Sequence, residues 1–270
     1  MITFQFNTTN DLFKVKENGQ KILLKDIFAA FSPTPFACGQ FRECFIGMIL
    51  NKEKQLVKTN DFPLGKCVVK KYKKKNVVIE NIKDFLSSFI ACHYAIQFNN
   101  IIKIPNKINF VNPYMTFDKV TKQFAYVEPF LDGEYIRFSN NTGYENPHFN
   151  AFIPAFSHYT WVASKGRLVV LDVQGTFVNK KYYLTDPAVQ SVNMVFGQSD
   201  LGACGIMKFL LFHKHNDICK NWKWIPNQLN MYLKCCNATS VARTYFRFEI
   251  DKIKEKYTPI YLELLKYIFN

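Results

Sequence analysis

The stretch from Phe156 to Cys219 decides the fold and contains five short segments: FSHYTW (156–161), LDVQG (171–175), LTDP (184–187), FGQSDLGACG (196–205) and HKHNDIC (213–219). Three of the five histidines of the chain lie in this stretch. Most of the segments combine a polar side chain with glycine or proline, which is typical of turns at the ends of buried elements. The stretch is therefore the strongest candidate for a functional site.

The segment LDVQG predicts a strand end that carries polar groups. The apolar run 168–171 indicates a buried strand, and it stops at Asp172. Asp172 and Gln174 are two positions apart, so on an extended chain both side chains point to the same side. Asp186 follows in a second polar turn, and together these groups offer the oxygen ligands that Mg²⁺ prefers. Two ordinary turn carboxylates beside a solvated glutamine would give the same pattern, so the spacing alone leaves both interpretations open.

The segment HKHNDIC offers ligands for a softer metal. Residues 201–222 predict a helix, with Asp200 as its N-cap. In such a helix His215 and Cys219, at positions i and i+4, would lie on one face. With His213 and with a histidine from FSHYTW, they would form the four nitrogen and sulfur ligands of a closed, structural zinc site. Histidines and a cysteine that simply fill a core or a surface would look the same in sequence.

The order of these segments resembles the alpha-kinase family, the atypical protein kinases that include myosin heavy chain kinases, elongation-factor kinases and channel-kinases. The family pattern reads F-S-H-F/Y, D-L/I-Q-G, L-T-D-P, F-G…L-G…G and H-x-C-N-x-x-C, against FSHYT, DVQG, LTDP, FGQSDLGACG and HKHNDIC here. His215 stands where the family has a cysteine, and Asp200 stands where it commonly has asparagine. The loop between Gly175 and Leu184 is a few residues longer than usual.

Two upstream segments extend the resemblance to the nucleotide site. The segment PFACGQFR resembles the family's P-F-A-x-G-x-x-R, which implies that Gly39 and Arg42 approach the phosphates of a nucleotide. The segment CVVKKY reads as a strand and resembles the family's V-A-K-R-Y, which makes Lys70 the ATP-binding lysine. Strand alternation points the neighbouring Lys71 to the opposite face, and only the family pattern decides between the two.

The segment VEPFLDGEYIRF resembles the family's hinge, and this implies that Glu128 begins the connection between lobes near the adenine. Kinases often pair the strand lysine with a glutamate on a helix. The helix predicted over residues 81–99 carries Asp84 and no glutamate after it. The sequence therefore leaves open whether Asp84 helps to order the site or the pair is absent.

The resemblance implies an α+β, two-lobed protein-kinase-like fold, with a β-rich N-terminal lobe and a mixed C-terminal lobe that holds a structural zinc site. It implies one catalytic domain over residues 1–270, with the N-lobe at about 1–127, the hinge at about 128–133 and the C-lobe at about 134–270. The implied function is that of an ATP-dependent Ser/Thr protein kinase, and the alternative is a catalytically impaired pseudokinase or nucleotide-binding module of the same fold. The implied roles are Asp172 for catalysis, Lys70, Arg42, Gly39 and Glu128 for the nucleotide, Gln174 and Asp186 for Mg²⁺, and His158, His213, His215 and Cys219 for Zn²⁺.

Composition limits the remaining classes of function. The chain is 48% apolar and 16% aromatic, which is a globular composition, and no apolar run approaches the roughly 20 residues that span a bilayer. The first residues do not form a signal peptide pattern, and the eight cysteines have no disulfide-framework spacing, so we expect reduced thiols and a cytoplasmic protein. A net charge of +14 would suit nucleic acid, but no nucleic-acid motif is present, and that alternative is the weakest. Residues 244–269 predict an amphipathic helix broken near Pro259.

Overall fold

A computed structural model describes residues 7–15, 21–74, 78–118, 123–141, 144–149, 151–222 and Tyr232. The helix predicted near the C-terminus lies outside these residues. The strands are β1 (Asn7–Thr8), β2 (Leu12–Val15), β3 (Lys21–Leu24), β4 (Ile27–Phe31), β5 (Ala37–Cys38), β6 (Arg42–Asn51), β7 (Lys66–Tyr72), β8 (Lys107–Phe110), β9 (Tyr114–Asp118), β10 (Gln123–Pro129), β11 (Tyr135–Arg137), β12 (Leu168–Leu171), β13 (Gln174–Val178), β14 (Lys181–Thr185) and β15 (Ala188–Ser191). The helices are α1 (Val78–Ile101), α2 (Phe152–Ala163) and α3 (Ala203–Phe212), with a 3₁₀ turn at Pro147–Phe149.

The first of two compact units comprises the described residues up to Ile82 together with Val111–Phe130. It is built on one antiparallel sheet of nine strands in the order β1-β4-β6-β7-β10-β9-β2-β3, with β5 paired to β6. Alternation of apolar side chains along these strands buries one continuous core. Its members include Leu12, Phe31, Phe45, Ile49, Phe62, Val69 and Val127.

The second unit comprises Lys83–Phe110 and the described residues from Leu131 onward. It contains most of α1, both other helices, and two small sheets with the strand orders β11-β13-β14-β8 and β12-β15. The helix predicted over residues 81–99 is confirmed as α1, and the strand predicted over residues 168–171 is confirmed as β12. A core of Trp161, Val169, Leu171, Ala203, Ile206, Phe209 and Tyr232 lies beneath α2, β12 and α3.

The chain after Gly175 forms a tight hairpin. β13 and β14 pair antiparallel from Gln174 to Val178, and a two-residue turn joins them. Asn179 and Lys180 in that turn have φ of 52° and 62°. Two consecutive residues with positive φ are typical of a type I′ turn, whose twist matches that of the flanking strands.

The helix predicted over residues 201–222 is wrong beyond its first half, because α3 ends at Phe212. The chain leaves the helix at His213, whose backbone is extended with φ of −64° and ψ of 123°, and the side chain of Asn216 holds the segment that follows. Its side-chain oxygen accepts a hydrogen bond from the backbone N–H of Ile218, and its side-chain nitrogen donates to the carbonyl of Ala151. Such local bonds offer the backbone an alternative to helical pairing. Within the described residues, no helix is long and apolar enough to cross a membrane.

Candidate active site and metal centre

Lys70 and Glu128 form a buried ion pair inside the sheet of the first unit. The Nζ atom of Lys70 donates to Oε2 of Glu128 at 2.7 Å, and each residue is only 4% exposed. The pairing follows from strand register, because β7 and β10 are neighbours and Val68 lies opposite Glu128. The strand lysine therefore has an acidic partner on the adjacent strand.

Arg42 lies on the same face of the sheet as this pair. It is directly opposite Tyr72 in the antiparallel register of β6 and β7, and residues opposite each other share a face. Its guanidinium carbon is 5.9 Å from the centroid of the Tyr126 ring. Gly39 lies in the exposed turn that precedes β6, where its N–H donates to the carbonyl of Arg42 at 2.8 Å.

Lys71 is directed away from that face. Its Nζ atom lies 4.5 Å from the centroid of the Phe31 ring, where a cation is attracted to the π face. The strand alternation that was expected from CVVKKY is therefore present, and Lys70 is the lysine that shares a face with Arg42 and Glu128.

A break in a long hairpin gathers the polar groups of the second unit. Pairing between β12 and β15 extends to Leu171, and pairing between β13 and β14 resumes at Gln174, opposite Thr185. Asp172 and Asp186 lie in the unpaired gap between these two ladders, with φ of 52° and 51°. Left-handed backbone is costly for most side chains, is tolerated by aspartate, and clusters at functional sites.

Gln174 and Arg137 connect the two aspartates. The side-chain nitrogen of Gln174 donates to the carbonyl oxygens of Asp172 and Asp186, at 3.5 Å each. Nη2 of Arg137 donates to Oε1 of Gln174 at 3.4 Å and lies 3.7 Å from Oδ1 of Asp172. The expectation of an extended chain from Asp172 to Gln174 is wrong, because the left-handed residue turns the backbone there. The gap nevertheless brings Asp172, Gln174 and Asp186 close together, as the sequence predicted.

Asp200 organises the loop before α3 and does not cap the helix, so that prediction is wrong. The N-cap of α3 is Gly202, with φ of 69° and no side-chain cap bond. The buried carboxylate of Asp200 accepts hydrogen bonds from the backbone N–H groups of Ser191, Phe196 and Gly202 and from the Ser191 hydroxyl. Burial raises the pKa of Asp200, and those hydrogen bonds offset part of the rise.

The predicted metal ligands converge in the second unit. One ligand atom from each of His158, His213, His215 and Cys219 lies within 4.8 Å of all the others. Nε2 of His213 is 3.5 Å from the Cys219 sulfur. The convergence does not come from a shared helix face, which corrects that expectation: His158 lies on α2 and the other three residues follow the end of α3.

The protonation chemistry of this cluster fits a zinc ion. Burial first, and then the neighbouring His213 and His215, lower the pKa of His158 to about 3, so its ring is neutral and able to ligate at neutral pH. Nδ1 of His215 lies 3.3 Å from the Cys219 carbonyl, a bond that uses the Nδ1–H tautomer and leaves Nε2 for a metal. Burial raises the pKa of the Cys219 thiol, and a bound cation would reverse this. Zinc takes imidazole nitrogen and thiolate sulfur as ligands, and four such donors complete a tetrahedral site.

Two residues near these sites carry no sequence signal. The hydroxyl oxygen of Ser139 accepts a hydrogen bond from the backbone N–H of Val173, which lies between Asp172 and Gln174 in the chain. Glu145 places Oε1 at 3.7 Å from Nδ1 of His213. The sequence around Ser139 and Glu145 indicates only a turn. Their partners, Val173 and His213, lie far away in the sequence, so no local pattern reveals these two contacts.

The model of the alpha-kinase family matches residues 37–219. The chain belongs to the alpha-kinase family. The alpha-protein kinase vwkA of Dictyostelium discoideum is 27% identical over 229 residues, which cover 82% of this chain and 35% of that protein. The chain spans about a third or less of the length of the first curated relatives that it matches.

Solved alpha-kinase structures confirm the predicted α+β, two-lobed kinase-like fold. The structure of an alpha kinase from Entamoeba histolytica has a TM-score of 0.68 at 23% identity, over 82% of this chain and 92% of that one. The alpha-kinase domain of myosin heavy chain kinase A in complex with ADP has a TM-score of 0.64 at 25% identity, over 81% and 97%. The family assigned from the order of the sequence segments is therefore correct.

Proposed function

We propose that this chain is an ATP-dependent protein kinase that transfers the γ-phosphate of ATP to serine or threonine hydroxyls of a protein substrate. The observation that carries the proposal is the gap in the hairpin, which holds Asp172, Gln174 and Asp186 together in a chain of the alpha-kinase family. Phosphoryl transfer depends on positioning and on charge stabilisation rather than on covalent chemistry, and these residues are suited to both.

Nucleotide binding is assigned to the first unit. Lys70 and Arg42 supply positive charge for the phosphates from one face of the sheet, and Gly39 allows backbone to approach them. Glu128 holds the Lys70 ammonium group in place at 2.7 Å. The ADP complex of myosin heavy chain kinase A supports a nucleotide ligand for this fold.

Catalysis is assigned to the second unit. Asp172 accepts or orients the proton of the substrate hydroxyl, and Arg137 lies 3.7 Å from its carboxylate. Gln174 and Asp186 offer oxygen ligands for Mg²⁺, which when bound neutralises charge on the transferred phosphate. His158, His213, His215 and Cys219 would hold a structural Zn²⁺ whose binding free energy stabilises the fold.

A cytoplasmic location completes the proposal. Each of the six cysteines that the structure describes is a free thiol. Disulfides are rare where glutathione and thioredoxin keep thiols reduced, so this pattern favours a reducing compartment.

A radiolabelled ATP assay tests the proposal directly. Wild type, Lys70→Ala, Asp172→Ala and Asp217→Asn are incubated with Mg²⁺ and a basic substrate protein, followed by phosphoamino acid analysis. We expect label on serine or threonine for wild type and for Asp217→Asn, whose carboxylate is exposed and paired with Lys220. Both alanine variants should lose about 100-fold or more of the activity. Transfer that survives in Asp172→Ala contradicts the assignment of that residue.

The same proteins distinguish the nucleotide-binding module from the kinase. ATP that stabilises wild type against heat in the absence of any transfer to several substrates would indicate the module. The Lys70–Glu128 pair favours the kinase, because it provides the strand lysine with a buried acidic partner.

A further inference from the structure

We propose that Glu145 and Ser139 are positioning residues that couple the metal site to the segment that carries Asp172. The Glu145 carboxylate orients the ligand His213 without contacting the metal itself. Ser139 holds the backbone at Val173, next to Asp172. The inference concerns residues outside the ligand set and the nucleotide site, and its second step rests on the proposed kinase function.

The contact of Glu145 with His213 defines the first step. Nε2 of His213 faces the Cys219 sulfur at 3.5 Å, so Nδ1 is the ring nitrogen directed away from the ligand cluster. Oε1 of Glu145 is 3.7 Å from that Nδ1, and among the described residues Nδ1 of His213 has no hydrogen-bond partner. A carboxylate beyond a ligating imidazole fixes the tautomer and the orientation of the ring.

Charge gives an independent reason for a carboxylate at this position. Zn²⁺ with three neutral imidazoles and one thiolate carries a net charge of +1. His158, His213 and Cys219 are buried, and an uncompensated charge is costly in such surroundings. The Glu145 side chain, 26% exposed, brings the total to zero.

The second step runs from Glu145 to the catalytic segment through backbone pairing. Ser139 and Glu145 form an isolated antiparallel bridge. The Ser139 hydroxyl accepts from the N–H of Val173 at 3.1 Å, while the N–H groups of Phe138 and Ser139 donate to the Val173 carbonyl at 2.9 and 3.1 Å. Val173 follows Asp172 directly, in the gap where the hairpin ladder is broken. These bonds replace the missing ladder, so a shift of Glu145 moves the backbone beside the catalytic aspartate.

A zinc competition assay tests the first step without any need for kinase activity. A chromophoric chelator competes for Zn²⁺ bound to wild type, Glu145→Gln and the control Asp217→Asn. We expect Glu145→Gln to bind Zn²⁺ about 10 to 100-fold more weakly, while the control stays within about twofold of wild type. Equal affinity of Glu145→Gln and wild type would overturn the proposal, and so would a wild type that binds no Zn²⁺.

Steady-state kinetics of Ser139 variants test the second step. Ser139→Ala should lower kcat about tenfold or more, with the KM for ATP and the Zn²⁺ affinity unchanged. Ser139→Thr keeps the hydroxyl and should retain most of kcat. An unchanged kcat in Ser139→Ala, or a loss of the same size in both variants, would overturn the coupling. A wild type with no transferase activity would refute the proposed function, and the zinc assay would still decide the role of Glu145.

Discussion

Lys70 and Glu128 form a buried ion pair to which we have assigned a role in nucleotide binding. Their side chains are 5% and 6% exposed and meet at 2.7 Å. Removing one partner from such a pair leaves an uncompensated charge in the interior, which is far more costly than replacing both partners by apolar groups. Single and double variants of the pair should therefore separate its effect on the free energy of unfolding from its effect on activity.

We predict that Lys70→Met lowers the free energy of unfolding by about 3–5 kcal/mol, because it removes the cation that pairs with the buried Glu128 carboxylate. The double variant Lys70→Met with Glu128→Leu should recover most of this loss and remain inactive. Urea unfolding provides the measurement, and Lys71→Met is the control, with an expected cost below about 1 kcal/mol for the lost contact over Phe31. A double variant as unstable as the single one would contradict the argument.

In the second unit, the two candidate aspartates lie where regular strand pairing stops. The gap between the two ladders of the hairpin holds Asp172 and Asp186 in left-handed backbone, and Gly175 enters β13 at the edge of that gap. A Cβ atom built on Gly175 would lie 2.0 Å from the Tyr183 carbonyl oxygen, and its φ is +148°. The close approach of the two strands therefore depends on this glycine.

We predict that Gly175→Ala destabilises the protein by at least about 2 kcal/mol, because the added carbon and the positive φ both oppose the native backbone. Gly39→Ala is the matched control for stability, since the nearest atom to its Cβ would be 3.7 Å away, and a change within about 0.5 kcal/mol is expected. Thermal unfolding of both variants decides the point. If Gly39→Ala alone weakens ATP binding, the assignment of that turn to the nucleotide gains support.

Asp200, in the loop before α3, should make the unfolding free energy of the protein depend on pH. Burial raises the pKa of Asp200, so the folded protein keeps this proton to higher pH than the unfolded chain does. The stability that protonated Asp200 contributes at low pH is therefore lost as pH rises from the ordinary value of 3.8 through the raised pKa. Asp200→Asn cannot titrate at this position and should not lose this contribution. As pH rises through this window, the unfolding free energy of wild type should therefore fall relative to that of the variant. Urea unfolding from about pH 4 to about pH 7 measures it. A difference that is constant with pH would refute the prediction.

The sequence predicts these elements better than their contacts, and the reason is physical. The apolar run of β12 and the long pattern of α1 depend on neighbours in the chain, and both elements are present. The pairing of Lys70 with Glu128 joins positions 58 residues apart and depends on strand register, which no local pattern encodes. The segment after α3 is held by side-chain bonds of Asn216, one of them to the Ala151 carbonyl on a distant segment, and no local pattern encodes that contact.

At the scale of the whole molecule, the metal site is expected to contribute directly to stability. A ligand that binds only the folded state stabilises it by about 4 kcal/mol when present at about 1,000 times its Kd. Since about 1 kcal/mol shifts Tm by about 2–4 °C in a chain of this size, removal of Zn²⁺ should lower Tm by about 8–16 °C. The four ligands lie on α2 and after α3, so the ion would connect distant parts of the second unit.

We predict that an excess of a strong chelator lowers the Tm of wild type, and that re-added Zn²⁺ restores it. Cys219→Ser should start at the lower Tm and lose its response to the chelator, because it lacks the thiolate ligand. The exposed Cys204 provides the control, since Cys204→Ser should respond like wild type. Scanning calorimetry with metal analysis of each protein distinguishes these cases. A wild type whose Tm ignores both chelator and Zn²⁺ would contradict a structural ion.

The position of Glu128 also bears on pharmacology. In protein kinases whose strand lysine pairs with a helix glutamate, the position of that helix controls activity. Here the acid and the lysine lie on adjacent, hydrogen-bonded strands, so the pair forms with the sheet itself. A compound that selects a helix-out state has no target of that kind in this pair. An inhibitor that competes for the Lys70 ammonium group is the more direct strategy, and it has to displace a carboxylate already bound at 2.7 Å.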